Sequence, residues 1–247
     1  MIAQQKILGN LIGITVSDTG ISHRLRGKPN EDSAIFHIEE EDFVMAISDG
    51  VGSCLDAAYG ACAAVQAATH AFYDIRNETL EFNKDKVAKY IIEDWFMQIS
   101  SKEPNQCCAT LKVAIKKGAH VLLLSIGDGL LAITSAGFYM VAPTDEQEFS
   151  NQTKCLNSNI RATDFWGDYF HLDVRTPFVV FSCTDGVANN IQQECKIALL
   201  EEIENNTSSN QLKDELVSFI TEISDYSSDD RTVGVIKYEW KNAESHR

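Results

Sequence analysis

The sequence predicts an α+β fold built on mainly antiparallel sheets. Segments patterned as strands, helices, strands, helices and a last strand follow one another in blocks. A doubly wound parallel sheet would instead alternate strand and helix strictly. The apolar content, 44% of 247 residues, is that of a chain able to bury a substantial core. Two packed sheets with helices outside accommodate this order, although the order alone does not require two.

The elements read as follows. "NLIGITVS" is a first strand, followed by a loop containing glycine, arginine and proline, "DTGISHRLRGKPNED". "SAIFHIEE" and "DFVMAISD" are strands joined by an acidic turn, as in a hairpin. From Leu55, "LDAAYGACAAVQAATHAFYDI" is rich in alanine, which favours a helix packed closely on a sheet. Between Lys84 and Ser100, Val87, Ile91, Trp95 and Ile99 recur every four residues and predict a second helix.

"ATLKVAIKK", "HVLLLSIGD" and "LLAITSAGFYMVA" return to strand. Within them "IGDGL", Ile126 to Leu130, reads as a tight hairpin because Asp-Gly favours such turns. Thr144 to Asp164 is polar, with few repeating signals, and reads as a surface segment. "YFHLDV" and "FVVFSCTD" are strands, Gln193 to Ile203 and Gln211 to Tyr226 helices, and "RTVGVIKYEW" a closing strand. No repeat or low-complexity linker divides the chain, so residues 1–247 read as one domain.

The formal net charge is -15, from 36 acidic residues against 21 basic ones. Such an excess repels phosphate backbones and anionic membranes, which disfavours a nucleic-acid or membrane partner. No segment approaches the roughly eighteen apolar residues of a membrane span. The N-terminus "MIAQQKILGNLIGITV" lacks the basic-then-apolar pattern of a signal peptide. The expectation is a soluble, cytoplasmic protein. Its seven cysteines show no Cys-x-x-Cys or Cys/His zinc spacing; Cys107 and Cys108 are adjacent, and Cys62 and Cys183 sit in apolar runs. They read as buried reduced thiols, not as a disulfide framework.

Four aspartates recur at strand ends beside glycine or a second acid. They are Asp49 in "AISDG", Asp128 in "SIGDG", Asp185 in "FSCTDG", and Asp229 or Asp230 in "SSDDRT". Glu31 and Asp32 in "PNEDSAIF" stand at the opposite end of a strand. Any one of these serves as a turn or cap in most proteins. Strand ends from distant parts of a sheet can nevertheless converge, and converging carboxylates without His or Cys make a hard-oxygen site suited to Mg²⁺ or Mn²⁺. Without a cation, like charges would force some of them to keep a proton.

"GISHRLRGKPNEDSAIF", "AISDGVGS", "SIGDGLLAI", "FSCTDGV" and "SDDRTVGVI" stand in the order and approximate spacing of the metal-dependent serine/threonine phosphatases of the protein phosphatase 2C type. The chain resembles that family from about Gly13 to Tyr238, and its opening is most similar to the compact bacterial branch. The resemblance implies a β-sandwich flanked by helices, with a centre of two or three Mn²⁺ or Mg²⁺ ions at one end. It implies that Asp49 bridges two ions and that Gly50 lends its carbonyl. Asp185 and Asp229 resemble ligands of one ion and Glu31 of the other. Asp32 matches a carboxylate supporting metal-held water, and Asp128 one that helps bind a third, weaker ion. Asp229, not Asp230, lies three residues before Thr232, the offset of the family's ligand.

The activity implied is hydrolysis of phosphoserine or phosphothreonine in proteins, so the partner is a phosphorylated substrate of a serine/threonine kinase. Phosphate monoesters are slow enough to need accelerations up to ~10²¹-fold. Two ions roughly 3.5–4 Å apart can acidify a shared water and offset phosphoryl charge without a covalent nucleophile. No G-x-S-x-G elbow suggests one.

Two positions depart from the family pattern. Val51 stands where better-known members carry a histidine proposed as proton donor, and Gly27 where a phosphate-binding arginine is usual. Arg26 is adjacent and its guanidinium matches phosphate geometry; Arg24 and Lys28 are the other candidates. His23 reads more readily as a structural residue than as the missing acid. These departures keep alive a pseudophosphatase that binds phosphoproteins without turnover. A metal-stabilised structural domain is the third reading.

Overall fold

The computed structural model describes residues 1–143, 154–173, 176–205, 211–224 and 227–239. Residues 144–153 of the expected surface segment, Val174, Tyr226 and Trp240 lie outside these. In chain order the strands are β1 Ile2–Leu8, β2 Leu11–Asp18, β3 Asp32–Glu39, β4 Asp42–Asp49, β5 Leu111–Lys117, β6 His120–Ile126, β7 Leu130–Ser135, β8 Phe138–Val141, β9 Trp166–His171, β10 Phe178–Cys183 and β11 Arg231–Tyr238. The helices are α1 Ile21–Arg26, α2 Ala57–Arg76, α3 Lys84–Gln98, α4 Asp185–Ala188, α5 Cys195–Asn205 and α6 Leu212–Ile223.

The strands form two sheets, ordered β1-β2-β11-β10-β7-β8 and β3-β4-β5-β6-β9. Every pairing of named strands is antiparallel. One core lies between α2, α3 and the five-stranded sheet, and includes Ala64, Phe72, Ile91 and Trp95. A second lies between α5, α6 and the six-stranded sheet. The third joins the two sheets through residues such as Met45, Leu123, Leu131 and Ile236. The layers are therefore helix, sheet, sheet, helix.

Strand β4 shows why the sequence folds this way. Side chains alternate faces along a strand. Phe43 and Met45 accordingly enter the core between the sheets, while Val44 and Ala46 enter the core under α2. Burial on both faces explains the continuous apolar run "FVMAI". On the helix side, Asn83 caps α3 by accepting N–H bonds from Asp85 and Lys86 at 3.1 and 3.2 Å.

Several expectations are corrected. "IGDGL" is no hairpin, because β6 and β7 belong to different sheets. Gly127 and Gly129, with φ of 87° and 91°, turn the chain between the sheets. "LLAITSAGFYMVA" is two strands, β7 and β8, folded back at Ala136 and Gly137. Strand β1 was not expected; all seven of its residues are exposed, so no buried face marks it in the sequence. Helix α1 lies inside the expected loop and ends where Gly27 adopts φ 66°. Leu156, in the expected surface segment, is fully buried and bridges Ala109. Cys62, expected inside, is exposed on α2. No helix among the described residues is long and apolar enough to cross a membrane.

Candidate metal centre

The aspartates singled out in the sequence gather at one end of the sandwich, drawn from both sheets. Asp49 ends β4 and stands opposite Asp32, which opens β3. Asp128 sits in the corner between β6 and β7, Asp185 opens α4 just beyond β10, and Asp229 lies two residues before β11. Thr110 clamps the Asp49 backbone: its Oγ1 accepts the Asp49 N–H at 3.0 Å, and its own N–H donates to the Asp49 carbonyl at 2.8 Å. Gly50 follows where no side chain fits, since a Cβ would lie 2.6 Å from the Ala57 carbonyl oxygen.

The carboxylates are close enough to repel. Burial, then the charges of Asp32 and Asp185, raise the Asp49 pKa. Burial also raises that of Asp32, against a hydrogen bond from Thr232, and Asp230 adds its charge. With both carboxyls raised, the group cannot be fully ionised at neutral pH without a compensating cation. Asp185 is pushed up to about 6 by burial and then by Asp128 and Asp229. Thr184 holds Asp32 by donating its hydroxyl to Oδ2 at 2.9 Å.

Glu31 joins through its backbone. Its carbonyl accepts the Gly50 N–H at 3.1 Å, and its N–H donates to Asp230 Oδ2 at 2.6 Å. Its buried side chain faces Lys28, whose Nζ lies 3.2 Å from Oε1, and His23, whose Nε2 lies 3.6 Å from Oε2. The other nitrogen of His23 is bonded to Asp230 Oδ2 at 2.8 Å. Asp230 Oδ1 in turn accepts the Gly20 N–H at 2.6 Å. Buried Asp230 thus braces α1 and the Glu31 turn, whereas Asp229 is exposed.

The three basic candidates take different places. Arg24 is engaged by Asp18, its Nη2 lying 2.5 Å from Oδ1. Lys28 faces Glu31, and Arg26 is exposed at the end of α1. Sequence reasoning passed over Thr110 and Thr184; Thr184 stands directly before Asp185 and could have been noticed, whereas Thr110 neighbours no acidic residue.

The donor set fits a hard divalent cation. It consists of carboxylates, and the one imidazole described beside it, His23, is held to Asp230 and faces only Glu31. Glu31 Oε2 and Asp32 Oδ1 are buried without a hydrogen-bond partner, so each has a free lone pair. Among the described residues no three His, Cys, Asp or Glu side chains stand in ready-made ligating positions. The repulsion that raises the Asp32, Asp49 and Asp185 pKa values is what a bound cation would relieve.

Solved structures with the same architecture include a bacterial serine phosphatase. RsbX in complex with magnesium superposes with a TM-score of 0.65 at 14% identity, over 96% of this chain and 100% of that one. The Mycobacterium tuberculosis serine/threonine phosphatase PstP/Ppp gives 0.66 at 16% identity, over 94% and 99%. PppA, a regulatory component of the Pseudomonas aeruginosa type VI secretion system, gives 0.67 at 13% identity, over 94% and 99%. The catalytic domain of PstP, similar at 17% identity, was solved with two manganese ions. No match is found among proteins of curated function. Residues 19–221 match the family described as protein phosphatase 2C, and with most of its length inside that match this chain belongs to the protein phosphatase 2C family.

Proposed function

We propose that this chain hydrolyses phosphoserine and phosphothreonine in proteins, with Mn²⁺ or Mg²⁺ as its cofactor. The observation that carries this reading is the crowding of Asp32, Asp49, Asp128, Asp185 and Asp229, from both sheets, into a space where they cannot all ionise uncompensated. Asp49, with the Gly50 carbonyl, Glu31, Asp185 and Asp229, would hold two ions; Asp128 would serve a third. When bound, such ions acidify water and offset charge on the phosphoryl oxygens.

The chain's own part is positioning. Thr110 fixes the backbone at Asp49, and Thr184 fixes Asp32, the carboxylate that would hold the attacking water. Arg26 would reach the phosphate from the rim with its guanidinium fork. Serine chemistry has no support at the strand ends: Ser48 and Ser182 donate their hydroxyls to the Thr110 and Leu130 carbonyls at 2.5 and 2.9 Å. The substrate is a protein phosphorylated by a serine/threonine kinase.

Release of phosphate from a phosphothreonine peptide, dependent on Mn²⁺ or Mg²⁺ and abolished by chelation, tests the proposal. Full activity in protein shown to contain no metal would overturn it. The second reading, a phosphoprotein-binding module without turnover, draws on Val51 and on the glycine at position 27. Binding of the peptide without hydrolysis, at saturating Mn²⁺, would select it.

A further inference from the structure

Three thiols from separate segments converge beside the Asp49 loop. Cys54 lies in the turn leading to α2, Cys108 just before β5, and Cys155 next to the Leu156 bridge. The sulfurs of Cys54 and Cys108 point at one acceptor, the Asn105 carbonyl oxygen, at 3.3 and 3.4 Å. Cys54 and Cys155 both lie close enough to act electrostatically on the Cys108 thiol. The hydrolysis proposed above uses none of them, and sulfur is a poor match for a hard cation.

The surroundings distinguish the three. Cys108 is buried, at 9% exposure, while Cys54 and Cys155 are half-buried. Burial, with the neighbouring sulfurs, raises the Cys108 pKa, so a solvent oxidant meets Cys54 first. Cys54 and Cys108 are further tied by the backbone between them: the Val51 N–H donates to the Cys108 carbonyl at 2.9 Å, and the Cys54 N–H to the Val51 carbonyl at 2.8 Å.

We propose that Cys54 and Cys108 form a site of reversible oxidation by peroxides, closing to a disulfide. The Cys54 thiolate attacks one oxygen of the peroxide, the O–O bond breaks, and the sulfur is oxidised to sulfenic acid as the other oxygen leaves as water or alcohol. Cys108 then attacks that sulfur; the S–S bond forms, the S–O bond breaks, and the hydroxide leaves with the Cys108 proton as water. The product staples the turn after Gly50 to the segment preceding β5. A thiol reductant reverses it.

The test treats the reduced full chain, freed of reductant, with hydrogen peroxide and counts thiols after denaturation. Two of the seven thiols should disappear and return with dithiothreitol, and peptide mapping should find Cys54 joined to Cys108. In Cys108→Ser, Cys54 should stop at the sulfenic acid and take up dimedone. Retention of all seven thiols, a disulfide to Cys155, or loss confined to the exposed Cys62 and Cys195 would overturn the proposal. If Cys108→Ser fails to fold, the mapping of the unaltered chain still decides.

Discussion

Asp32 and Asp49 face each other across the β3–β4 ladder, and the charge of Asp32 adds to burial in raising the Asp49 pKa. Like charges directly opposite in a sheet are destabilising, so the pair holds together only by keeping a proton or gaining a cation. Thr110 fixes the Asp49 backbone and Thr184 the Asp32 carboxyl, one on each side of the pair.

Chelated protein should therefore lose stability as pH rises above 3.8 and through about 6 to about 7. Asp32, Asp49 and Asp185 have folded values above their ordinary 3.8, Asp185 at about 6. The folded state then binds more protons than the unfolded chain across this window. Stability is fully present below the unfolded value and falls as pH climbs through the folded ones. Asp18, held below 3.8 by Arg231, Arg24 and the N-terminus despite burial, acts oppositely, but its contribution is lost only on acidification. Melting curves in EDTA and in excess Mn²⁺ check this. The EDTA series should fall with pH and the Mn²⁺ series should not; a rising EDTA series would contradict the crowding.

Replacing Gly60 in α2 with alanine should destabilise the fold. A Cβ there would lie 1.9 Å from the Cys107 carbonyl oxygen, a backbone atom that cannot swing aside. Overpacking of this kind costs about 1–3 kcal/mol. Alanine's helix propensity, worth up to about 1 kcal/mol over glycine, does not offset it. The urea midpoint should drop; an unchanged midpoint would mean that α2 stands further from the 107–108 segment.

Much of this architecture was legible in the sequence, for identifiable reasons. The apolar run of β4 and the alanines of α2 announce burial directly, and the block order of elements favoured antiparallel sheets over a doubly wound parallel one. The acidic strand ends were visible because Asp-Gly recurs in apolar surroundings. What stayed hidden had no local signature. Exposed β1 alternates nothing, and the corner at Gly127 and Gly129 has the same residues as a hairpin turn. Which sheet each flanking strand joins is decided by pairings distant in sequence, such as Leu130 with Cys183. The thiol group at Cys54, Cys108 and Cys155 was invisible for the same reason.

Arg26→Ala should raise KM for a phosphopeptide roughly tenfold while kcat changes little, if the guanidinium binds ground and transition states alike. Arg26 is exposed at the end of α1, free to meet a substrate at the rim. Arg24 should behave differently, because its partner Asp18 also accepts from buried Arg231 at 2.6 Å. Arg24→Ala should lower stability before it touches KM. Steady-state kinetics of both, with Lys28→Ala alongside, decide the assignment. If Lys28→Ala alone raises KM, the phosphate-binding role belongs to Lys28.

The adjacent acids Asp229 and Asp230 should fail in different ways when each is replaced by asparagine. Successive side chains of an extended segment point to opposite sides, so the two cannot serve one site equally. Asp229 is exposed, its Oδ1 accepts the Asp230 N–H at 2.9 Å, and its charge acts on Asp185. Asp229→Asn should weaken Mn²⁺ binding and hydrolysis sharply at nearly unchanged stability. Asp230 instead braces the loop from a buried position, so its removal should carry a cost of a different kind. Its carboxylate accepts from Gly20, Glu31 and His23. An asparagine nitrogen at Oδ2 would set donor against donor at Glu31 and leave a buried group unsatisfied, at about 1–3 kcal/mol. Asp230→Asn should therefore lower the urea midpoint while retaining most Mn²⁺ affinity in the folded fraction. Calorimetric Mn²⁺ titration and urea unfolding of both variants separate the roles. Loss of metal affinity in Asp230→Asn, with Asp229→Asn unaffected, would show that the ligand register is off by one residue.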